Sequence, residues 1–351
     1  MAKMKLSTAM TLLVILAAKA SFAAPVDLPP DSIGADTVFV IHADAEHLSP
    51  GLLRTAAGVV LGDNVERAND FISTFQDRYD KATKAGVTSI TIVGTSSQRM
   101  ADAENQLGAD PNAEPRRQSM NPPVIYYHLK AGADVKALEK VMTQDLPEKQ
   151  RADVRFEQMD NWAVMHQKNQ TPPEKVDADR TRAFADAFAT IPDAAIGLAF
   201  IPDAKTKTEM NKAAGREESP KFMKDALPVL SGSKWLTLAI ALGNDPGIKL
   251  SATTADAKSA KALTDAANGE LDDLKDKAAN PGQGGPMAFI GPMIAPLLDG
   301  LRPISNGNAV SVNLKGQPLN SIANLISTIS AMRPPQPPNA TPGTAKPGAK
   351  E

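Results

Sequence analysis

The chain has 351 residues, of which 38 are basic and 40 acidic, giving a formal net charge of -2, and it contains no cysteine. The lack of cysteine excludes disulfides, thiol catalysis, cysteine-based zinc sites and lipidation at a lipobox cysteine. A mildly acidic chain without a basic block is also a poor ligand for nucleic acid. Stability must come from apolar burial, and this length supports one large core or two of ordinary size.

Residues 1–23 have the pattern of a secretory signal peptide. Lys3 and Lys5 precede an apolar run, and the small residues Ser21 and Ala23 indicate cleavage after Ala23. The apolar run is about ten residues, whereas a helix needs roughly 20 to span a bilayer. We therefore expect an exported protein, periplasmic or extracellular, with no transmembrane anchor after cleavage.

The rest of the chain is predicted to contain two structured units. The expected segments are an extended leader at 24–35, a first α+β unit at 36–167, a linker at 168–180, a second α+β unit at 181–332 and a Pro-rich disordered tail at 333–351.

Strand patterns dominate the first unit. The β-branched run Thr37–Ile41 predicts a buried strand, and the alternation over Val87–Val93 predicts a second one. Apolar residues at helical spacing lie between them. Val154–Met159 and Trp162–His166 flank Asp160 and Asn161, a connection that favours a hairpin turn.

The second unit repeats the order of the first. Asp44 and Asp203 both follow a strand at the point where a helix starts, and they are 159 positions apart. The expected fold class is α+β: two related strand-helix-strand-strand-helix-strand units, mainly antiparallel sheet with helices packed on one face. Two such units can form one continuous sheet or two lobes, and we favour the shared sheet.

At the level of pattern, the chain resembles large uncharacterised exported bacterial proteins of unknown function. The signal peptide, the Pro-rich leader and the paired units carry this resemblance, over about Asp36 to Leu314. No motif within it is specific enough to transfer a site.

The densest group of possible metal ligands follows the first strand: His42, Asp44, Glu46 and His47. Imidazole and carboxylate groups are ligands for zinc and other divalent ions. The competing interpretation is that Asp44 caps the following helix, because Asp203 occupies the corresponding corner, where no histidine occurs. His128 and His166 could complete a metal site only if the sheet brings them near His42.

No other segment predicts chemistry. The sequence has no nucleophile elbow, phosphate loop or dinucleotide fingerprint, and Gly282–Gly285 is interpreted as a linker. The broken apolar segment Pro286–Leu298 is either a contact patch for a partner or a buried helix, and we favour burial.

The functional expectation is therefore general. We expect an exported, non-catalytic protein that acts by binding an envelope or extracellular protein or ligand, or by envelope architecture, and that needs no cofactor. The alternative is a metal-dependent hydrolase that uses His42, Asp44 and His47 with a divalent metal.

Overall fold

The computed structural model describes residues 26–61, 69–96, 123–144, 146, 148–168, 176–279, 297–316 and 318–321. The signal peptide, the tail, most of Ser96–Pro122, Gly282–Gly285 and most of Pro286–Leu298 lie outside the described residues. Among the described helices, none is long and apolar enough to cross a membrane.

The described part of the first half contains five strands and four helices. In chain order they are β1 (Thr37–Asp44), α1 (Pro50–Leu61), α2 (Asn69–Lys84), β2 (Val87–Thr95), β3 (Val124–Leu129), α3 (Val135–Thr143), α4 (Glu148–Asp153), β4 (Val154–Met159) and β5 (Trp162–Gln167).

A connecting helix and the second half follow. They are α5 (Ala178–Ala189), β6 (Ile196–Phe200), α6 (Ala204–Ala214), α7 (Lys221–Ser231), β7 (Trp235–Ala241), β8 (Gly247–Thr253), α8 (Ala257–Ala279), β9 (Ile304–Asn306) and β10 (Ala309–Lys315). The α+β fold class is therefore confirmed.

All ten strands form one antiparallel sheet, in the order β4-β5-β3-β2-β1-β6-β7-β8-β10-β9. Each half contributes its strands in the same spatial order, and β1 pairs with β6 at the centre. Val40 and Ala199 are direct partners in that central pair, and both are fully buried. Their separation along the chain equals the 159 positions between Asp44 and Asp203.

The first half has core residues on both faces of the sheet. Tyr126 and Tyr127 are adjacent on β3, so their side chains point to opposite faces. Tyr126 packs in the cluster that contains Phe184 and Phe188 of α5, whereas Tyr127 packs with Ala82 of α2 and Leu138 of α3. Helix α5 therefore covers the face opposite to α2 and α3, so helices pack on both faces of the sheet and the expectation that they pack on one face was wrong.

Helix α5 lies at the centre of the fold, although the sequence interpretation had no helix there and placed the linker up to Arg180. Asp177 caps the helix by accepting a hydrogen bond from the backbone N–H of Arg180 at 2.9 Å. The Arg180 guanidinium donates to the carbonyl oxygens of Thr37 and Ile201, which joins α5 to β1 and to the end of β6.

The leader also packs on the fold. Ile33 is fully buried in the α5 cluster, and Val26 and Leu28 pack against that cluster. The backbone N–H of Asp177 donates to the carbonyl of Ile33 at 2.9 Å, so the leader is tied to the start of α5.

Candidate functional site

The predicted metal ligands lie at the end of β1, where Asp44 organises a turn. Its carboxylate accepts backbone N–H bonds from Glu46 at 2.7 Å and from His47 at 3.4 Å. The His47 Nδ1 is 3.5 Å from the other Asp44 oxygen. Asp203 plays the same structural part in the second half, capping α6 through the Thr206 N–H at 2.7 Å.

His42 is two residues before Asp44 on β1, is half-buried and packs against α5. Its Nδ1 is 3.0 Å from the Thr91 hydroxyl, and its ring contacts Phe188 edge-on with the ring centroids 6.1 Å apart. Burial lowers the pKa of His42; Asp44 opposes this effect, and nearby His128 adds to it.

The other histidines are held by their own partners. His128 places Nδ1 2.8 Å from the Thr88 hydroxyl and Nε2 2.6 Å from the side-chain amide of Asn161. The sheet brings His128 onto the same face as His42, whereas His166 lies 3.3 Å from Glu157. Within the described ranges, no group of three or more His, Cys, Asp or Glu residues is arranged to hold a metal ion.

A different feature stands out in the second half: a cavity of about 520 Å³ on the sheet face that α7 and α8 cover. Leu236, Ala252 and Val310 are cross-strand neighbours that form one row of its floor. Leu250 and Val312 form part of the next row. Phe222 and Leu230 of α7, Ala267 and Leu271 of α8, and Leu301 with Pro303 form the walls.

Two small side chains line this space, Ala252 of β8 and Ala267 of α8. The buried cluster under α7 and α8 contains Ala226 and Ala260 as well, together with Leu263 and Val310. In the first half, the rings of Tyr127 and Phe156 stack with their centroids 6.1 Å apart in the cluster that contains Leu138. Because protein interiors are normally close-packed, small side chains at the lining positions leave this space unfilled.

Most of the side chains that line the cavity are apolar. Glu270 is the one ionisable residue among the described residues that line it. Leu250, on the floor, remains 45% exposed. The cavity is therefore partly open, and its volume is within the roughly 300 to 1,000 Å³ that small-molecule sites occupy.

One wall of the cavity is attached to α8 by ion pairs. Lys275 and Arg302 both contact Asp299, at 2.7 and 3.2 Å, and Arg302 also pairs with Asp272. Hydrogen bonds from Lys275 and Arg302 lower the pKa of Asp299. These contacts flank Leu301 and Pro303 and hold that segment against the helix.

A second cavity, of about 500 Å³, lies between α7 and α8. Its lining includes the carboxylates of Asp225, Asp265, Glu270 and Asp273, with Lys221 as the cationic residue.

The comparisons with known proteins give no family. No family model matches the chain, and no curated protein matches it. The solved structure of TP0453 in crystal form I is similar over 87% of this chain and 99% of that chain, at 6% sequence identity and a TM-score of 0.32. A similarity at this level carries no argument about fold or function.

Sequence reasoning missed the apolar cavity. Its lining comes from α7, β7, β8, α8, residues 301–303 and β10, and each of these segments has an ordinary apolar pattern. The available signal was the alanine content at inward positions, such as Ala252 in β8 and Ala267 in α8.

Proposed function

We propose that the protein is an exported, non-catalytic binding protein that holds the aliphatic part of a small molecule in the cavity above β7, β8 and β10. The observation that carries the proposal is a partly open cavity of about 520 Å³ with a mostly apolar lining, in which Glu270 is the single carboxylate among the described residues. Thr237, Ser251 and Ser311 add three hydroxyl groups to that lining. Transfer of an aliphatic chain from water into such a site is favourable by roughly 0.8 kcal/mol per buried CH₂. Export is supported by the signal-peptide pattern of residues 1–23.

A binding role fits the lining better than catalysis does. General acid–base or nucleophilic chemistry needs a reactive group beside a base or an electrostatic stabiliser. Glu270 is the ionisable group that the apolar cavity offers among its described lining residues. The shape of the cavity and its apolar walls therefore support binding of an apolar group and not a chemical reaction.

Calorimetric titration of the mature protein with decyl maltoside, below its micelle concentration, tests the proposal. We expect saturable binding that Leu250→Gln weakens about tenfold, because a polar side chain then lies on the cavity floor. Leu274→Gln is the matched control, since Leu274 is 37% exposed and does not line the cavity. Heats that do not saturate, or equal losses in the two variants, would reject the proposal.

A further inference from the structure

The cavity between α7 and α8, called the acidic groove below, adjoins the apolar cavity. Phe222 of α7 and Glu270 of α8 line both spaces. A molecule that fills the apolar cavity as far as these two side chains has its end beside the further carboxylates of the acidic groove. One end of such a molecule contacts apolar side chains, and the other end lies near carboxylates.

The charge of the groove is only partly compensated. Asp265 is paired with Lys261, with 2.6 Å between nitrogen and oxygen. Asp225, Glu270 and Asp273 form no ion pair with another described residue, and Lys221 is the one cation among the described lining residues. The groove thus presents an excess of negative charge toward the end of the apolar cavity.

This arrangement discriminates between head groups. A cation in the groove gains attraction from several carboxylates within one small space, whereas an anion is repelled by the same groups. Specificity commonly depends on such a repulsive element as well as on an attractive one. The apolar cavity selects for an aliphatic chain, and the groove selects the sign of the charge attached to it.

We infer that the ligand is a small amphiphile with an aliphatic chain and a cationic head group, such as a long-chain amine or quaternary ammonium. This inference rests on the proposed function of the apolar cavity. The chain lies over Ala252 and Leu250, and the head lies beside Glu270 and Asp273.

Three probes with the same ten-carbon chain test the inference: decyltrimethylammonium, decyl maltoside and decyl sulfate, each titrated calorimetrically below its micelle concentration. We expect the cation to bind about tenfold more tightly than the anion at low salt, with the neutral probe between them. Added salt should reduce this difference, because screening weakens interactions between solvent-accessible charges.

Variants test whether the carboxylates of the groove cause the preference for the cationic probe. Asp225→Asn with Asp273→Asn should reduce the preference for the cation to about threefold or less. Decyl maltoside should bind as before, because neither residue lines the apolar cavity. Glu139→Gln is the matched control, because Glu139 is an exposed carboxylate on α3 and does not line the groove. Circular dichroism of each variant confirms that it is folded.

The possible failures are distinguishable. If all three probes bind equally and Leu250→Gln weakens each of them, the inference is wrong and the proposed function stands. If decyl sulfate binds as tightly as the cation, or if the double variant keeps the full preference, the inference is also wrong. If none of the probes binds, the proposed function and the inference fail together.

Discussion

Phe222 of α7 and Glu270 of α8 are shared by an apolar cavity and an acidic groove on the same side of the sheet. One residue offers an aromatic ring and the other a carboxylate at the junction of the two spaces. The second half of the protein therefore has an apolar space and an acidic space side by side. The first half fills the space below its helices with Tyr127, Leu138 and Phe156.

A larger side chain at Ala267 should close the cavity. Ala267→Trp places an indole in the space that the guest would occupy, and we expect the titration with decyl maltoside to show no binding. Because the ring enters a cavity and not a packed core, the free energy of unfolding should change by less than the 1–3 kcal/mol typical of overpacking. Chemical denaturation measures this change.

Ala262→Trp is the control for the cavity-filling variant. Ala262 is also on α8, but it lines the acidic groove and not the apolar cavity. Binding of decyl maltoside should persist in this variant. Persistence of binding in Ala267→Trp would place the guest elsewhere.

The continuous sheet predicts a single cooperative unfolding transition. Leu138 is fully buried on α3 in the first half, and Leu263 is buried on α8 in the second half. Leu138→Ala and Leu263→Ala should each cost about 2–5 kcal/mol, and each should lower the same calorimetric transition. Two transitions, each lowered by only one variant, would show that the halves unfold separately.

Strand-level structure was predictable because it depends on local pattern. The alternation over Val87–Val93 predicted β2, and Asp160 with Asn161 predicted the turn that connects β4 to β5. Helix α5 was missed, although Asp177 is a typical N-cap and Phe184 and Phe188 have helical spacing. The polar stretch up to Arg180 was interpreted as a linker. Only the contacts of the helix with the sheet show why it is central.

Sites were less predictable than strands. The sequence offered Asp44 both as a metal ligand and as a cap, and its carboxylate does accept backbone N–H bonds from Glu46 and His47 in the turn before α1. The apolar cavity depends on the volumes of side chains from segments spread between Phe222 and Val312. No local sequence pattern shows whether side chains from distant segments fill the space between them.

The stability of the protein should depend on the protonation of His42. Burial lowers its pKa from the ordinary value of 6.5, so between the lowered pKa and 6.5 the unfolded state binds more protons than the native state. The free energy of unfolding should therefore fall as the pH drops below about 6.5. The ionisable groups that act on His42 are Asp44, His128 and Asp27.

Urea unfolding between pH 7.5 and 5.0, roughly the range over which histidines titrate, tests this dependence. His42→Gln should flatten the pH profile of the free energy of unfolding. A wild-type profile as flat as that of His42→Gln would contradict the assignment.

Metal content distinguishes the binding proposal from the hydrolase alternative. We expect purified mature protein to carry no stoichiometric zinc or manganese in elemental analysis, because Asp44 is engaged by the turn and His42 faces Phe188. Stoichiometric metal that is lost in His42→Ala would instead favour a metal-dependent hydrolase that uses His42, Asp44 and His47.

Methyl NMR of the mature protein during titration with decyl maltoside tests the central claim most directly. We predict saturable shifts of the Leu236, Leu250, Val310 and Val312 methyl signals, which belong to the cavity floor, with no change at Leu129 and Leu138 in the first half. Saturable shifts confined to first-half methyl groups, or no saturable shifts at all, would contradict the account.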